Sequence, residues 1–350
     1  MDDEYRLSQY DYDLPPELIA QHPMARRDMS RLMILNRKTG AISHTRFDAI
    51  GDHLHPGDVL VLNDTKVIRA RMWGRRASGG KIEALVVRRR EDGLHEVLIK
   101  PSARLKLGER VVFENGEIGG RLHARTDEGG WVVEFEHAEQ LDRILEKAGR
   151  MPLPPYIKRT YPQDDYADED AERYQTVYAR APGAIAAPTA GLHFTEALLG
   201  HLKSKGIVIE FITLHVGLGT FRPIKTDDIR AHKMDAEYFE ITRNAADAIR
   251  AAKCDGRRIV AVGTTACRSI ETAGESGEVR PGGGWTEKFI YPPYRFRIVD
   301  ALVTNFHLPK STLLLLVSAF AGREMILRAY REAIEKKYRF YSYGDAMLIL

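Results

Sequence analysis

The amino-acid sequence predicts a mixed α/β protein of two domains, in which a mixed-sheet α/β core is interrupted by a small all-β, barrel-like domain. The first observation is the length of 350 residues, which is enough for about two domains with separate cores. The second is a series of short strand patterns, punctuated by glycines, and the third is a later alternation of strand and helix patterns. We therefore predict a catalytic core of residues 1–66 and 151–350, with an inserted all-β domain at residues 67–150.

Four segments of the predicted insertion have the composition of β-strands. They read KIEALVVRR, HEVLIKP, GERVVFE and GGWVVEFEH, and a barrel or sandwich of short strands is typical of such spacing. A helix pattern, AEQLDRILEKAG, and the proline-rich MPLPPYIKR then close the domain. From Val67 to Arg150 there are 17 Lys and Arg against 14 Asp and Glu, which is an excess of positive charge. Such an excess can bind a phosphate backbone, but exposed arginines on soluble proteins that bind no nucleic acid produce it as well.

The C-terminal half alternates predicted strands with predicted helices. IVIEFITLH, RRIVAVG and RIVDALVTNFH are apolar enough to be buried strands. RNAADAIRAAKCDG, with Thr242 as its N-cap, and TTACRSIETAG have helical patterns, and residues 311–338 are predicted to form one long helix. This order of elements is the pattern of an α/β layer.

Residues 174–195, YQTVYARAPGAIAAPTAGLHFT, have neither helical nor strand periodicity. Pro182 and Pro188 remove backbone donors, so this segment predicts an ordered loop. Thr195 is the predicted N-cap of the helix that follows, and Gly206 is its C-terminal stop. A loop of small residues that enters a helix start offers backbone N–H groups to a ligand, although a close-packed turn would have the same composition.

Three predicted strands end in glycine and polar residues: HVGLGT, GTTACR and NFHLPKST. Ligands of open α/β sheets bind in the crevice at the carboxyl ends of the strands, so the three ends together predict a ligand site. Each end also has a structural explanation, with Thr264 or Thr265 and Ser311 as N-caps and with His215 and His307 as core histidines.

Standard cofactor motifs are absent from the sequence. GLGT lacks the third glycine of a dinucleotide fingerprint, and HLPKST lacks the glycines of a Walker loop. Four histidines lack the paired spacing of a metal site: His193, His215, His232 and His307. We therefore expect neither a metal nor a prosthetic group.

The cysteines and the apolar runs of the sequence indicate in which cellular compartment the protein is expected to lie. Cys254 and Cys267 form no CxxC pair, and we expect both to be buried thiols without a special role. The apolar run that begins at Leu313 is too short to cross a bilayer, and the acidic N-terminus lacks the apolar core of a signal peptide. We expect a cytoplasmic protein that has no membrane contact.

Eight segments carry a resemblance to a known family: YDLPPELIAQHP, RDMSRLMIL, VLVLNDTKVIRAR, YQTVYARAPGAIAAPTAGLHFT, LHVGLGTFRP, VGTTACRSIE, VDALVTNFHLPKSTLLLLVSAFAG and RFYSYGDAMLIL. The sequence is similar, from its first predicted strand to its last residue, to the S-adenosylmethionine:tRNA ribosyltransferase-isomerases of queuosine biosynthesis. Two positions depart from the pattern expected for the family. Asp235 stands where His is expected, which leaves the role of that position open, and Pro293 stands where Gly is expected in a turn.

The resemblance implies a reaction on tRNA. The ribosyl part of S-adenosylmethionine is transferred to the aminomethyl group of 7-aminomethyl-7-deazaguanine at the anticodon wobble position and is isomerised. Epoxyqueuosine-tRNA forms, and adenine and methionine are released. The implied partners are S-adenosylmethionine, as a substrate, and a tRNA with a GUN anticodon, and the implied assembly is a monomer.

The same resemblance supplies candidate site residues, chosen because they lie in or beside the matching segments. The candidates for proton transfer are His193, His307, Asp345 and His215. The candidates for S-adenosylmethionine binding are Pro188, Thr189, Ala190, Gly191, Phe194, Gly217, Gly219, Thr220, Phe221, Thr264, Arg268 and Asn305, with Phe194 and Phe221 as a cation–π wall for the sulfonium. The candidates for tRNA binding are Arg26, Arg27, Arg31, Lys66, Arg69, Arg71, Lys158 and Arg159.

Two other function classes remain open at this point. An S-adenosylmethionine-dependent methyltransferase would use the same substrate, but the sequence lacks the glycine fingerprint such an enzyme would carry. A non-catalytic RNA-binding protein would act through its β-domain, but the insertion has no RNA-recognition signature. The products released from S-adenosylmethionine separate the three classes.

Overall fold

The structure, a computed structural model, describes residues 3–127, 129–159, 166–217, 219 and 223–350. A large mixed β-sheet carries helices on both faces, and a second group of strands closes into a barrel. The predicted fold class, a mixed-sheet α/β core with a small all-β barrel, is confirmed. The domain limits at residues 67 and 150 stay a proposal.

The strands, in chain order, are β1 Arg31–Leu35, β2 Ile42–Arg46, β3 Val59–Asn63, β4 Thr65–Val67, β5 Arg71–Arg76, β6 Lys81–Arg89, β7 His95–Lys100, β8 Arg110–Phe113, β9 Ile118–Arg125, β10 Trp131–Phe135, β11 Ala181–Ala184, β12 Val208–Leu214, β13 Glu237–Ile241, β14 Ile259–Val262, β15 Gly282–Thr286, β16 Ala301–Asn305 and β17 Ala346–Ile349. The α-helices are α1 Leu141–Ala148, α2 Ala167–Arg173, α3 Glu196–Ser204, α4 Arg243–Cys254, α5 Gly263–Ala273, α6 Thr312–Ala321 and α7 Arg323–Glu335. A 3-10 helix, Thr189–His193, precedes α3.

The large sheet has the strand order β15-β13-β12-β3-β14-β16-β17-β1-β2. Its four central strands, β12, β3, β14 and β16, are mutually parallel. Their carboxyl ends therefore meet at one edge of the sheet, as the sequence pattern predicted. The side chain of Asn63, the last residue of β3, fixes this edge because it donates to Leu214 O at 2.9 Å and accepts from Leu214 N at 3.0 Å.

Two apolar layers hold the sheet between its helices. On one face, Val61 and Leu302 of the sheet pack in a cluster with residues of α4, α5, α6 and α7. On the other face, Leu62 and Val303 pack with Phe47 and with residues of α3. Alternate residues of β3 and β16 thus serve opposite layers, so both faces are apolar and the strands read as continuous apolar runs.

The barrel contains β5 to β10 in the order β10-β7-β6-β5-β8-β9. Four of its strands match the predicted segments, but β5 and β9 were not predicted. Their sequences, RMWGRR and IGGRLHAR, are rich in glycine and arginine, which have low strand propensity. A Cβ on Gly74 would lie 2.3 Å from Val112 O, so the glycine permits the close approach of β5 to β8.

The predicted helix N-caps are confirmed where a side chain closes the first turn. The hydroxyls of Thr195, Thr242 and Ser311 each accept a hydrogen bond from the backbone N–H three residues later. Thr264 and Thr265, the alternative caps, instead lie inside α5, which begins after Val262.

Two element predictions are wrong in part. The long helix predicted for residues 311–338 is divided at Gly322, whose φ of +88° and ψ of 133° end α6 before α7 begins. The predicted loop at residues 174–195 contains β11, which pairs in parallel with β4, and the 3-10 helix. Long-range pairing with β4 stabilises β11 despite Pro182 and Gly183 in its short sequence.

The two cysteines differ in their exposure to solvent. Cys267 is buried as predicted, but Cys254 is exposed because it lies at the C-terminal end of α4. Among the described residues, no helix combines the length and the apolar character that a membrane crossing requires.

Candidate active site

A cavity opens at the carboxyl ends of the central parallel strands, and we name it the strand-end cavity. About 530 Å³ of space lies within it when its open mouth is included. Its lining comes from three strand ends, from three other segments and from the start of α6: Tyr156, Ala186, Ala187, Pro188, Thr189, Ala190, Val216, Gly263, Thr264, Thr265, Thr304, Asn305, His307, Leu313, Tyr341 and Ser342. The ends predicted to form a crevice are therefore brought together in one place.

Asn305 lies at the centre of the polar wall and is only 2% exposed. Its amide nitrogen donates to Tyr341 O at 3.1 Å and lies 3.2 Å from His193 Nε2. Its amide oxygen is buried, and among the described residues it has no hydrogen-bond partner. A buried acceptor without a partner is costly, so this oxygen is suited to accept a hydrogen bond from a ligand.

His193 lies behind Asn305 and does not line the cavity. Its Nδ1 is 2.7 Å from Ser30 Oγ, and its ring stacks on Phe47 at a centroid distance of 4.9 Å. Since the amide nitrogen of Asn305 donates to Nε2, the proton resides on Nδ1 and is donated to Ser30. His193 therefore holds the orientation of Asn305.

His307 lines the cavity directly and is 5% exposed. Its Nε2 lies 2.8 Å from Thr304 Oγ1, and its backbone N–H donates to the Tyr330 hydroxyl at 3.0 Å. Its backbone carbonyl accepts a hydrogen bond from the Tyr12 hydroxyl. The main chain is fixed from two sides, so the ring has a defined position in the cavity wall.

Both buried imidazoles are neutral at physiological pH. Burial lowers the pKa of His307 to about 3, because the charged form loses its hydration there. Burial, together with the positive charges of Arg27 and Arg339, lowers the pKa of His193 to about 3. A cationic ligand in the strand-end cavity would therefore meet no imidazolium charge.

Two tyrosines form the aromatic part of the wall. The rings of Tyr156 and Tyr341 meet edge to face with centroids 3.8 Å apart, and the hydroxyl of Tyr156 hydrogen-bonds to Ser342. Tyr341 has a φ of +74°, a conformation that is unfavourable for a tyrosine and is stabilised by a 3.0 Å hydrogen bond to Phe306 O. Aromatic faces of this kind attract cations such as a sulfonium.

Pro188, Thr189 and Ala190 of the segment of small residues line the cavity, and their role in binding S-adenosylmethionine stays a prediction. Gly191 has a different surrounding. A Cβ at this position would lie 2.1 Å from the Tyr178 hydroxyl, so the missing side chain makes room for tyrosine rather than for a ligand. Thr264 lines the cavity from the first turn of α5.

Three predicted residues lie away from the cavity. Phe194 is fully buried against Phe47, with centroids 4.9 Å apart, because its ring belongs to the apolar layer between sheet and α3. Arg268 is buried in an ion pair with Glu237 and donates to Lys288 O at 3.0 Å.

Asp345 is the third of these residues, and it holds two backbone segments together. Its carboxylate accepts from Arg31 N at 2.9 Å, from Arg31 Nε at 3.1 Å and from Arg339 N at 2.8 Å. A carboxylate with three donors and 2% exposure is suited to fix β1 against the C-terminal segment. The geometry places it outside the strand-end cavity.

His215 and Gly217 line a second cavity, between the barrel and the sheet, which we name the barrel-side cavity. His215 Nδ1 lies 2.8 Å from Thr65 Oγ1, and burial lowers the pKa of this imidazole. Gly219 packs against Asp235, since an added Cβ would lie 2.7 Å from the carboxylate. Thr220 and Phe221 lie outside the described residues.

The basic candidates divide into structural and exposed side chains. Arg27 donates to three main-chain carbonyls, Arg31 pairs with Asp345, and Arg159 pairs with Asp170 at 2.7 Å. Arg71 donates to Leu153 O at 2.9 Å and pairs with Glu83 at 3.4 Å. Lys66 and Lys158 are exposed, Arg69 is half-buried, and Arg26 pairs with Asp28 while 68% of its side chain stays exposed.

Three aromatic or polar lining residues, Tyr156, Tyr341 and Ser342, were not predicted from the sequence. Tyr156 directly follows Pro154 and Pro155, and these prolines led to its assignment to the segment that closes the barrel domain. Tyr341 and Ser342 lie in RFYSYGDAMLIL, one of the eight family-like segments, and their position in that segment is the sequence signal that could have identified them as site residues. Among the described residues, no group of three or more His, Cys, Asp or Glu side chains is placed to hold a metal ion.

Comparisons with known proteins agree over the whole chain. The model of the queuosine biosynthesis protein family matches residues 7–349. The S-adenosylmethionine:tRNA ribosyltransferase-isomerase of Halothermothrix orenii is 52% identical over 347 residues, which cover 99% of this chain and 100% of that protein. The enzyme of the same name from Symbiobacterium thermophilum is 54% identical, again over 99% and 100%. The crystal structure of S-adenosylmethionine tRNA ribosyltransferase from Thermotoga maritima matches with a TM-score of 0.56 and 39% identity, over 98% of this chain and 100% of that one.

Proposed function

The chain belongs to the queuosine biosynthesis protein family and acts as an S-adenosylmethionine:tRNA ribosyltransferase-isomerase, and we propose that the strand-end cavity binds its S-adenosylmethionine. The enzyme transfers the ribosyl moiety of S-adenosylmethionine to 7-aminomethyl-7-deazaguanine in tRNA and isomerises it to epoxyqueuosine. Adenine and methionine are released. Since a fold does not locate a reaction, the site has to be argued from its residues.

The observation that carries the proposal is the buried, unpartnered amide oxygen of Asn305 in the cavity wall. A ribose hydroxyl or the ammonium of the methionine part would supply the missing donor. The first turn of α5, at Gly263 and Thr264, offers backbone N–H groups to the methionine carboxylate. One ligand that carries an amine, a carboxylate and a sugar matches these groups together.

The charge of the cavity also suits a sulfonium. Tyr156 and Tyr341 present aromatic rings, and His307 is neutral because burial lowers its pKa to about 3. A charged imidazole at that position would repel the positive sulfur. In this proposal, the tyrosine pair takes the role that the sequence assigned to Phe194 and Phe221.

His307 is the proposed proton carrier. The positive sulfur acidifies the hydrogens of the adjoining carbon, and a positioned base removes one of them. The low pKa of His307 makes it a weak acceptor but a strong donor, so the same proton is readily delivered to the departing adenine. His307 takes one hydrogen, as a proton, from the carbon beside the sulfur and gives it to adenine as the glycosidic C–N bond breaks. The C–S bond breaks with its electron pair going to the sulfur, so methionine leaves as a neutral thioether, and the amine releases its own proton when the new C–N bond forms.

His193 acts as a positioning residue in this scheme. It contacts Asn305 and not the cavity, so its effect on the reaction is transmitted through the orientation of that amide. We further propose that the tRNA substrates carry GUN anticodons, that exposed basic residues such as Lys66 and Lys158 contact their phosphates, and that the enzyme is a cytoplasmic monomer without a metal or prosthetic group.

The test is the affinity for S-adenosylmethionine of an Asn305→Ala variant, measured by titration calorimetry. A lost hydrogen bond to a charged group costs about 1.5–3 kcal/mol, so the Kd is expected to rise by roughly 10- to 150-fold. Asn244→Ala, a substitution of an exposed asparagine in α4, is the matched control and should leave the Kd unchanged. An unchanged Kd in an Asn305→Ala protein of normal thermal stability would place the S-adenosylmethionine site elsewhere.

A further inference from the structure

The barrel-side cavity has an aromatic floor that the proposed function does not use. About 1160 Å³ of space, part of it open to solvent, lies between Arg88 and Glu96 of the barrel and the edge of the large sheet. Three aromatic side chains line it: His215, Tyr238 and Trp285. Val216 lines this cavity and the strand-end cavity alike, so the two spaces adjoin.

The three aromatic residues form one row across three neighbouring strands. Trp285 of β15 is the register partner of Tyr238 in β13, and His215 N donates to Tyr238 O at 3.0 Å just beyond the end of β12. The ring centroids of Tyr238 lie 5.8 Å from those of Trp285 and 6.0 Å from those of His215. The planes of His215 and Tyr238 lie within 22° of each other, whereas Trp285 meets Tyr238 edge to face at 71°. The exposed Trp285 ring is therefore the member of the row on which an unpaired RNA base can stack.

Trp285 is unusual in its exposure. It is 59% exposed, whereas Trp131 in the barrel core is 1% exposed. The preceding residues of its strand are glycines, and a Cβ on Gly283 would lie 2.6 Å from the Tyr238 hydroxyl. The missing side chain of Gly283 therefore makes room for the Tyr238 hydroxyl, while the exposed ring of Trp285 in the cavity wall is accessible to a ligand.

The charge around the row is negative on the sheet side. Asp235 and Glu287 line the cavity, and Glu237 lies deeper in its ion pair with Arg268. On the barrel side, Arg88 and Glu96 pair with each other. The substrate base is a purine analogue that carries a positively charged aminomethyl group. Its flat ring matches the aromatic row, and its ammonium matches the carboxylates.

We propose that the barrel-side cavity receives the unstacked 7-aminomethyl-7-deazaguanine base of the tRNA, with its ring on Trp285 and its ammonium toward Asp235 and Glu287. This inference rests on the proposed function, since it places the second substrate beside the cavity that holds S-adenosylmethionine. An enzyme that modifies a base must hold it out of the stack, and a stacking platform offsets part of that cost. The shared wall at Val216 brings the amine next to the ribosyl donor.

The experiment uses an anticodon stem-loop RNA with 7-aminomethyl-7-deazaguanine at the wobble position and the same RNA with guanine there. Trp285→Ala should raise the Kd and KM for the first RNA by about 5- to 150-fold, the usual effect of one lost stacking contact, and leave the Kd for S-adenosylmethionine unchanged. Trp285→Phe should restore most of the affinity. Leu107→Ala, which truncates a side chain that is 67% exposed on the barrel, is the control and should have no effect.

The carboxylates are tested by the preference between the two RNAs. Wild-type enzyme should bind the aminomethyl RNA more tightly than the guanine RNA, and Asp235→Asn should reduce that ratio by about three- to tenfold. Equal affinities for both RNAs in the wild-type enzyme would overturn the assignment of the ammonium. An unchanged RNA Kd in Trp285→Ala, or an equal loss of RNA and S-adenosylmethionine binding, would overturn the assignment of the base.

Failure of this inference is distinguishable from failure of the proposed function. Wild-type enzyme that converts the aminomethyl RNA while Trp285→Ala has a normal KM overturns the inference alone. Wild-type enzyme that releases no adenine from S-adenosylmethionine with this RNA overturns both.

Discussion

The neutral state of His307 has a measurable consequence for stability. Its pKa is about 3 in the folded protein and about 6.5 in an unfolded chain, so the unfolded state binds one more proton between these two values. Stability is therefore complete above pH 6.5 and declines as the pH falls toward 3, by about 1.4 kcal/mol per pH unit. Between pH 7 and pH 5 this single imidazole should cost about 2 kcal/mol of the free energy of unfolding.

The assay is urea unfolding at pH 7 and pH 5 of the wild type and of His307→Gln, a variant without the titrating group. Other groups that titrate in this range are present in both proteins and cancel in the comparison. The loss of unfolding free energy on acidification should be smaller in the variant by about 2 kcal/mol. His201→Gln, which replaces an exposed histidine of α3, should behave as the wild type does.

An equal loss in the wild type and in His307→Gln would refute the reasoning. It would mean that His307 titrates in the folded protein much as it does in water, so the cavity would not be dry. The proposed neutrality of the site toward a sulfonium would then fail as well.

Two further predictions concern the loop of small residues and the tRNA. Gly191→Ala should destabilise the fold by about 1–3 kcal/mol because the added Cβ meets the Tyr178 hydroxyl. In thermal unfolding, a double variant that also carries Tyr178→Phe should recover part of that loss. Additive effects of the two substitutions would contradict this contact. The double substitution of Lys66→Ala and Lys158→Ala should weaken tRNA binding and reduce the slope of log Kd against log salt by roughly 1–2, and it should leave S-adenosylmethionine binding intact. Lys106→Ala, on the barrel, is the control and should change neither the affinity nor the slope. An unchanged slope in the double variant would exclude both lysines from the phosphate contacts.

The sequence predicted that a crevice lies at the carboxyl ends of the parallel strands, but it predicted only some of the side chains that line that crevice. Strand ends are visible as a change from apolar to glycine and polar residues, and parallel pairing necessarily brings those ends together. Asn305 is the last residue of β16, His307 lies two residues later, and both line the cavity. Periodicity cannot show which of two neighbouring side chains faces a ligand, so His193 and Phe194 were assigned to a cavity from which the backbone turns them away.

Long-range contacts explain the elements that the sequence did not reveal. Strands β5 and β9 depend on the partners that close the barrel, because their own glycines and arginines favour no strand. The row of His215, Tyr238 and Trp285 comes from three segments of the chain, and only the register of the sheet aligns it. Strand and helix propensities depend on residues that are neighbours in the sequence, whereas this row is formed by residues that are distant in the sequence and meet only in the folded sheet.

The central claim is that the strand-end cavity carries out ribosyl transfer, and single-turnover product analysis tests it most directly. Wild-type enzyme with S-adenosylmethionine and tRNA that carries the aminomethyl base should release adenine and methionine in amounts equal to the modified base formed. His307→Ala should lower the rate of adenine release by roughly a hundredfold, the usual contribution of a positioned acid–base group. Release of S-adenosylhomocysteine, or a near-normal rate of adenine release by His307→Ala, would contradict the claim.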